Sequence, residues 1–593
     1  MTRALYYLFA VLLLCCRTGT ASPLAEYCFS PDEPGFAAKH AAAAMGIPFV
    51  HAATLPEALK QPMVVLAGEM PGRLMTPSVE AQLTAYVEAG GTLVLDDPES
   101  RVALNLAGAG AIVPSTQRYT LRFRPETGDP GLARLLAPEA QEISLGSRGA
   151  GRAVKTQALI LVRGSGAKVL AAFDDGTPGL TVRAIGLGRV YALGVSLNDL
   201  ILRPQINRDY EAQRYYDNHF EPGADVPQIV LHDWYLTYVP GAVTLDPAPN
   251  GLAGSLLLTH DVDFQKSMPN MLKYAHAEHA LGVSATYYIQ TKYTRDYEDI
   301  AFFDNHAEAQ VRAIVGMGAE VANHTVCHAY DWRTFPVGSG REMAKTYRPR
   351  VLTRGASGKT GYTIGGTVGG EIRAPKQLLE SAVPGLTVDG FRSGFLLINP
   401  AQWSMLEANG YNSDSSYSAN DVMTVFPYTA MENANFGRES RITEFPVLLS
   451  DSVRPLSDYT GQFERVLDAE AAFHGVCVLL IHPDTVGSKL PVELALIQHV
   501  RGKFWAGGLV AFGKWWKARG ETTLTTEQSD TEEVVRLTAK SAVSGLTLNC
   551  SVPMTLASVD GTTARVTGHS VVLGPIGAGR TVILHLSSSR GGS

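Results

Sequence analysis

Four short stretches of the chain carry side chains that could do chemistry together. The apolar run Gly254-Ser255-Leu256-Leu257-Leu258 leads into Thr259-His260-Asp261-Val262-Asp263, so two carboxylates stand where a buried strand would end. Two residues apart on extended backbone they share a face, although such a pair standing alone more often caps a following helix. A second apolar segment, Ala319 to Ala322, runs into Asn323-His324-Thr325-Val326-Cys327-His328. In a helical turn, His324 and His328 at i and i+4 sit one above the other, the spacing for two imidazoles on one metal. A strand-like run from Leu386 ends at Arg392, and the buried-type strand Val476-Cys477-Val478-Leu479-Leu480-Ile481 ends at His482. Two imidazoles and a carboxylate about a divalent ion, with a position open for water, suit hydrolysis rather than a purely structural role. His260 is expected to be buried and supporting only.

These groups need a scaffold that gathers strand ends. From Ser255 to Gly520 apolar strands and helical runs alternate over about the length of an α/β barrel, whose catalytic groups sit at the carboxyl ends of its strands. Two choices arise within this region. Arg373, in Ile372-Arg373-Ala374-Pro375, lies in a helical pattern, whereas Arg392 stands at a strand-to-loop junction, the context of functional residues. Asp414, in Tyr411-Asn412-Ser413-Asp414, either lines the site or caps a loop. Trp515 and Trp516 are expected on a closing helix, outside the site.

In its order of motifs the stretch from about Gly254 to Arg519 resembles the NodB-type polysaccharide deacetylases. The resemblance implies a distorted (β/α) barrel in which Asp261 is the general base, Asp263, His324 and His328 hold the metal, Arg392 orients the base and His482 protonates the leaving amine. Thr325 fills the family's hydroxyl position. Val262 separates carboxylates that are usually adjacent. The spaced form looks like that of some peptidoglycan deacetylases and of domains acting on Pel-type and galactosaminogalactan exopolysaccharides. Ser393-Gly394 replaces the usual Ala-Pro after the arginine. Phe173-Asp174-Asp175-Gly176-Thr177-Pro178 spells the commoner motif but reads as a hairpin turn, and no His-x-x-x-His follows it before His324. The ligand set suits Zn2+ best and also admits Ni2+ or Co2+.

Elsewhere the text divides into further units. Residues 24–221 alternate strand and helix and then become mostly strand, which predicts an α/β domain. Its phrases Tyr86 to Val94 and Gly186 to Val190 resemble flavodoxin-like, glutamine-amidotransferase-like domains. No cysteine or serine follows the strand Met63 to Ala67, so a structural or glycan-binding role is expected rather than amidotransfer. Residues 222–252, rich in Pro and Gly, read as a linker, 253–520 as the deacetylase barrel and 526–593 as a small β-sandwich. Residues 1–21, with Arg3, an apolar stretch from Leu5 to Cys16 and the exit Gly19-Thr20-Ala21, read as a secretory signal too short to span a bilayer.

The chain has 593 residues, 45% of them hydrophobic, which is too long for one core and too apolar for disorder. Lys and Arg number 50 against 57 Asp and Glu, a formal charge of -7, so nucleic acid is excluded as a main partner and no transmembrane span is expected. The reading is thus an extracytoplasmic enzyme acting on a polysaccharide, its hexosamine N-acetyl groups the expected target. Two rivals stand beside it, a peptidoglycan or O-acetyl glycan deacetylase and a non-catalytic glycan-binding protein.

Overall fold

The computed structural model describes residues 23–29, 36–68, 70, 72–149, 151–207, 218–294, 300–354, 360–432, 438–528 and 533–588. The signal-like segment 1–21 lies outside them. The described residues divide between two compact α/β units, one drawn from residues 1–201, 226–251 and 515–593, the other from 202–225 and 252–514.

In the first unit, parallel strands Phe49–His51, Leu24–Cys28, Met63–Ala67, Thr92–Asp96 and Gly188–Leu193 lie side by side in that order. Antiparallel strands Pro178–Ile185, Lys168–Phe173, Thr120–Phe123 and Glu142–Ser144 extend the sheet. Met63–Ala67 and Thr92–Asp96 are apolar nearly throughout and buried throughout, as strands covered on both faces must be. The helices Pro77–Glu88 and Arg101–Ala107 start on side-chain caps: Thr76 accepts from the Val79 amide and Ser100 from the Ala103 amide. The Asp174-Asp175 decoy is a hairpin tip. Asp175 accepts from the Arg118 guanidinium at 2.7 Å and from the Thr177 amide at 2.9 Å, and Gly176 takes φ 81°.

Residues 222–252, expected as a linker, hold the helix Asp225–Tyr238 and the strand Val243–Leu245. Pro227 lies in the first turn of that helix, where a missing N–H costs nothing. Val243–Leu245 pairs antiparallel with Thr547–Cys550 in a four-stranded sheet completed by Ser570–Leu573 and Ala564–Thr567. A second antiparallel sheet, Thr522–Gln528, Glu533–Ala539, Thr581–Ser588 and Met554–Asp560, shares one apolar core with it through Leu548, Val571, Val535 and Leu584.

The second unit is built on the strand Gly254–Val262, buried along its whole length because three strands flank it. Phe504–Gly508 pairs with its first half, Thr286–Ile289 with its second, and Val476–Ile481 with its other edge, all parallel. The sheet continues through Glu320–Asn323, Gly390–Phe391 and Ser413–Asp414 on one side and Val447–Ser450 on the other. A parallel bridge between Ser418 and Val447 joins the segment after Ser413–Asp414 to that last strand, so the sheet curls most of the way round on itself. Because these strands are parallel, their carboxyl ends open at one end of the unit.

Candidate active site

Alternation along the strand Gly254–Val262 sorts its last residues. Thr259 and Asp261 face one way, and a single nitrogen of Arg392 reaches both, at 3.1 Å from the Thr259 hydroxyl and 2.8 Å from Asp261 Oδ1. His260 faces the other way, onto the helix Ser267–Ala280, with its ring 5.0 Å from that of Tyr274. Arg392 is wholly buried. Its remaining donors go to the Ser415 carbonyl at 2.8 Å and the Ser415 hydroxyl at 2.7 Å, while its plane stacks 4.2 Å from the Tyr288 ring. A guanidinium committed on every side holds one oxygen of Asp261 in place and leaves the other, Oδ2, 3.7 Å from His324 Nε2. Burial alone would raise the Asp261 carboxyl, but the Arg392 guanidinium, which both faces it as a charge and donates to it, outweighs burial with the help of the His482 charge and holds it below the ordinary value.

The two histidines are not on a helical turn. Residues 324–328 form a loop after the strand Glu320–Asn323, with Thr325 at φ 65° and His328 at φ 49°. The loop is shaped from a distance. The amides of Val326 and Cys327 donate to the buried Glu371 carboxylate at 2.6 and 2.8 Å, and the Thr325 amide donates to Asn323 Oδ1 at 2.7 Å. Fixed i+4 spacing therefore arises here from turn chemistry and not from helix, and the rings end 5.0 Å apart. Across from them, Phe395 and Leu396 also take left-handed φ, 57° and 50°, and a Cβ on Gly394 would lie 2.9 Å from the His328 ring. Four non-glycine residues in this conformation beside one site represent stored strain of about 1–3 kcal/mol each.

His324 Nδ1 lies 2.9 Å from the Arg392 carbonyl, which can only accept, so Nδ1 carries the proton and Nε2 presents its lone pair. That Nε2 and Asp263 Oδ1 are buried and have no hydrogen-bond partner. Ligating atoms of Asp263, His324 and His328 all lie within 4.8 Å of one another. Burial lowers both imidazoles, keeping them neutral, and it lifts Asp263 to about 7, with the Asp261 charge adding to the rise. Two neutral imidazoles and a carboxylate short of positive charge, with orphaned donor atoms converging, fit a divalent cation.

His482 completes the group. Its Nε2 is 3.8 Å from Asp263 Oδ2, and its Nδ1 is 2.7 Å from Asp451 Oδ1, whose other oxygen accepts the His482 amide at 2.9 Å. Lys489 Nζ lies 2.5 Å from Asp451 Oδ2. Burial disfavours the imidazolium, yet Asp451 and Asp263 together push His482 up to about 10. Asp451 itself is lowered to about 2, since the charges of His482 and Lys489 overcome its burial.

All six residues singled out from the sequence, Asp261, Asp263, His324, His328, Arg392 and His482, therefore meet at one end of the second unit. Arg373 does not join them, for its guanidinium bonds the Glu342 carbonyl and Asn409. Asp414 is fully buried beside Ser416, Gln402 and Glu444, and does not line the cleft. Trp516 is buried, and Trp515 donates to the Ser544 carbonyl at 3.0 Å. Asp451 and Lys489 join the group from outside the sequence motifs. Asp451 follows directly on the buried strand Val447–Ser450, the same strand-end position that singled out Asp261.

The cleft over these groups encloses about 420 Å³ and is lined by Asp261, Asp263, His328, Asp451 and His482 among others. The chain is similar to carbohydrate deacetylases of known structure. Over 96% of its length it aligns with 99% of the carbohydrate deacetylase Agd3, at 13% identity and a TM-score of 0.45. A family 4 carbohydrate esterase from Streptomyces lividans, solved in complex with acetate, matches 44% of the chain with 95% of its own, at 17% identity and a TM-score of 0.27. A CE4 family pseudoenzyme from Bacillus anthracis matches 44% with 65% of its own, at 11% identity and a TM-score of 0.25. No family model and no curated protein matches the chain. At such identities the likeness assigns no chemistry, which rests on the side chains. Among the described residues no helix is long and apolar enough to cross a membrane.

Proposed function

We propose that the protein is a secreted, metal-dependent deacetylase that removes N-acetyl groups from a hexosamine-containing polysaccharide outside the cytoplasm. The observation that carries this reading is the opposition of two differently tuned groups across one cleft. Asp261 is held as a carboxylate by a buried arginine, and His482 is held as an imidazolium by Asp451. Groups whose surroundings drive their protonation states apart in this way are suited to act as base and acid.

Asp263, His324 and His328 would hold a divalent cation, zinc being best matched to the donor set, which supplies Lewis-acid charge for attack on an amide carbonyl. Arg392 fixes Oδ1 of Asp261, so Oδ2 takes the proton from the attacking water. His482 Nε2 gives its proton to the amide nitrogen as the carbon–nitrogen bond breaks, and acetate and an amine leave. Asp451 keeps that imidazole charged and turned toward the cleft, and Lys489 anchors Asp451.

The composition of residues 1–21 supports export. The strand order of the first unit supports a flavodoxin-like reading of residues 24–221, and the two antiparallel sheets support a β-sandwich reading of the C-terminal stretch. N-acetylgalactosamine or N-acetylglucosamine polymers are the expected substrates. Acetate release should be measured on purified exopolysaccharide and on peptidoglycan, with and without a chelator. Release from the exopolysaccharide that a chelator stops is the expected result. Undiminished release by Asp261→Asn would overturn the assignment.

A further inference from the structure

The chain is acidic as a whole, yet one excursion of the second unit is strongly basic. Between Asp331 and Glu371 the sequence carries seven Lys and Arg and a single acid, Glu342. Arg333, Arg341, Lys345, Arg348 and Arg350 are exposed, and among the described residues none of the five forms an ion pair. Glu342 does not neutralise them, for it turns back to accept from the Ser339 amide and hydroxyl. Cations elsewhere on this unit are matched: Arg438 and Arg441, just as exposed, both reach Glu407. The same excursion exposes large non-aromatic apolar side chains, Val337 at 49%, Met343 at 50% and Ile364 at 52%. Among the described residues of this unit only Ile300 is comparable. Apolar tips set among unmatched cations mark an interaction surface.

The two kinds of side chain share a face. Arg350–Arg354 and Thr360–Ile364 form an antiparallel ribbon in which Arg350 stands opposite Ile364, so both point to one side. Val351, next along, points to the other side and is buried in the core. Ile364 also lies beside Arg348, since a Cβ on Gly365 would be 3.9 Å from the Arg348 carbonyl oxygen. The excursion is tied to the helix Val368–Ala382. The amides of Val368 and Gly369 donate to the carbonyls of Pro336 and Val337 at 3.0 and 2.9 Å, and the Ala344 amide donates to Gln377 at 3.2 Å.

We propose that residues 333–350, together with Ile364, form a docking surface for an anionic lipid bilayer. The apolar tips decide between anionic partners. An acidic glycan would match the cations but offers no hydrocarbon to cover Val337, Met343 and Ile364. A bilayer supplies anionic headgroups for the cations and acyl chains for the tips. The excursion follows directly on the loop that carries His324 and His328, so docking brings the cleft end of the unit toward the membrane. The inference does not depend on the chemistry of the cleft.

The test sediments the purified protein with vesicles of phosphatidylglycerol and phosphatidylcholine in equal parts, and with vesicles of phosphatidylcholine alone. Binding to the first, weakened in about 0.5 M NaCl, and little to the second is the expected result. Arg341→Glu, Lys345→Glu and Arg350→Glu together should weaken that binding about 100-fold, and Met343→Ser with Ile364→Ser about tenfold. All five positions are exposed, and thermal midpoints check folding. Equal binding to both vesicle types, no vesicle binding by the wild type, or unchanged affinity in the charge-reversed variant overturns the membrane surface. Retention on an immobilised polyuronate without vesicle binding overturns it in favour of an acidic glycan.

Discussion

Two buried clusters of potential ligands lie on opposite faces of one strand, and they differ in kind. Asp263, His324 and His328 gather at the open end of the sheet, while His260, Glu278 and Glu493 gather between the sheet and its helices. In the first, the proton on His324 Nδ1 is committed to the Arg392 carbonyl, leaving Nε2 unpartnered, and Asp263, which carries the other orphaned atom, lines a cleft. In the second, His260 Nδ1 faces the Ile481 carbonyl at 3.1 Å and Nε2 lies 2.7 Å from Glu278 Oε1, so both ring nitrogens are already engaged within the fold. Tyr287 donates to Glu278 as well, at 3.0 Å, and burial with the Glu278 charge pushes the Glu493 carboxyl far up, so that it keeps its proton. Residue types and proximity are alike in the two clusters. What separates them is how the imidazole nitrogens are engaged and whether a cleft opens beside the ligands, as it does at Asp263 and His328.

The sharpest way to break this comparison is to count ions. His324→Ala should remove the bound divalent ion, read by elemental analysis, and lower acetate release by about 10³-fold, whereas Glu493→Gln should leave the ion content unchanged. Equal ion loss in both variants would erase the distinction.

A smaller effect is expected at Asp451. In the proposed mechanism His482 donates its proton only while charged, and Asp451 raises its pKa, so activity is kept below that raised value and lost as pH rises through it. Asp451→Asn removes the neighbour that does most to raise that value, so the alkaline limb of kcat/KM should move down by one or more pH units, toward the ordinary histidine value of about 6.5. The rate at neutral pH should fall about 10- to 100-fold. A pH profile superimposable on the wild type would show that Asp451 does not tune the acid.

Glu278→Ala tests the closed cluster. It strips His260 and Tyr287 of their shared acceptor and should cost about 3 kcal/mol in denaturant unfolding, with the ion retained. Smallest of all, Asp175→Asn in the hairpin decoy breaks a pair whose carboxylate is 43% exposed, so stability should change by less than about 1 kcal/mol and acetate release not at all.

How much of this was legible in advance follows from range. Asp261, Asp263, Arg392 and His482 were visible because each ends an apolar strand, a local pattern. Arg392 was separable from Arg373 for the same reason. The expected helical turn at His324 to His328 failed because the loop is set by Glu371, more than forty residues away, whose carboxylate captures two amides. Asp451 was missed since its role exists only across 31 residues, in its bond to His482. The strand Val243–Leu245 was hidden in a proline-rich stretch, because its partner, Thr547–Cys550, lies at the far end of the chain.

Gly394 carries a consequence for how such a centre could be adjusted. His324 is oriented by a hydrogen bond, but His328 is oriented by contact, with no room for even one methyl group beneath its ring. The two halves of the ligand set therefore answer to separate dials, one polar and one steric. A chain can weaken its grip on the ion by adding bulk at position 394 while every donor atom stays in the sequence.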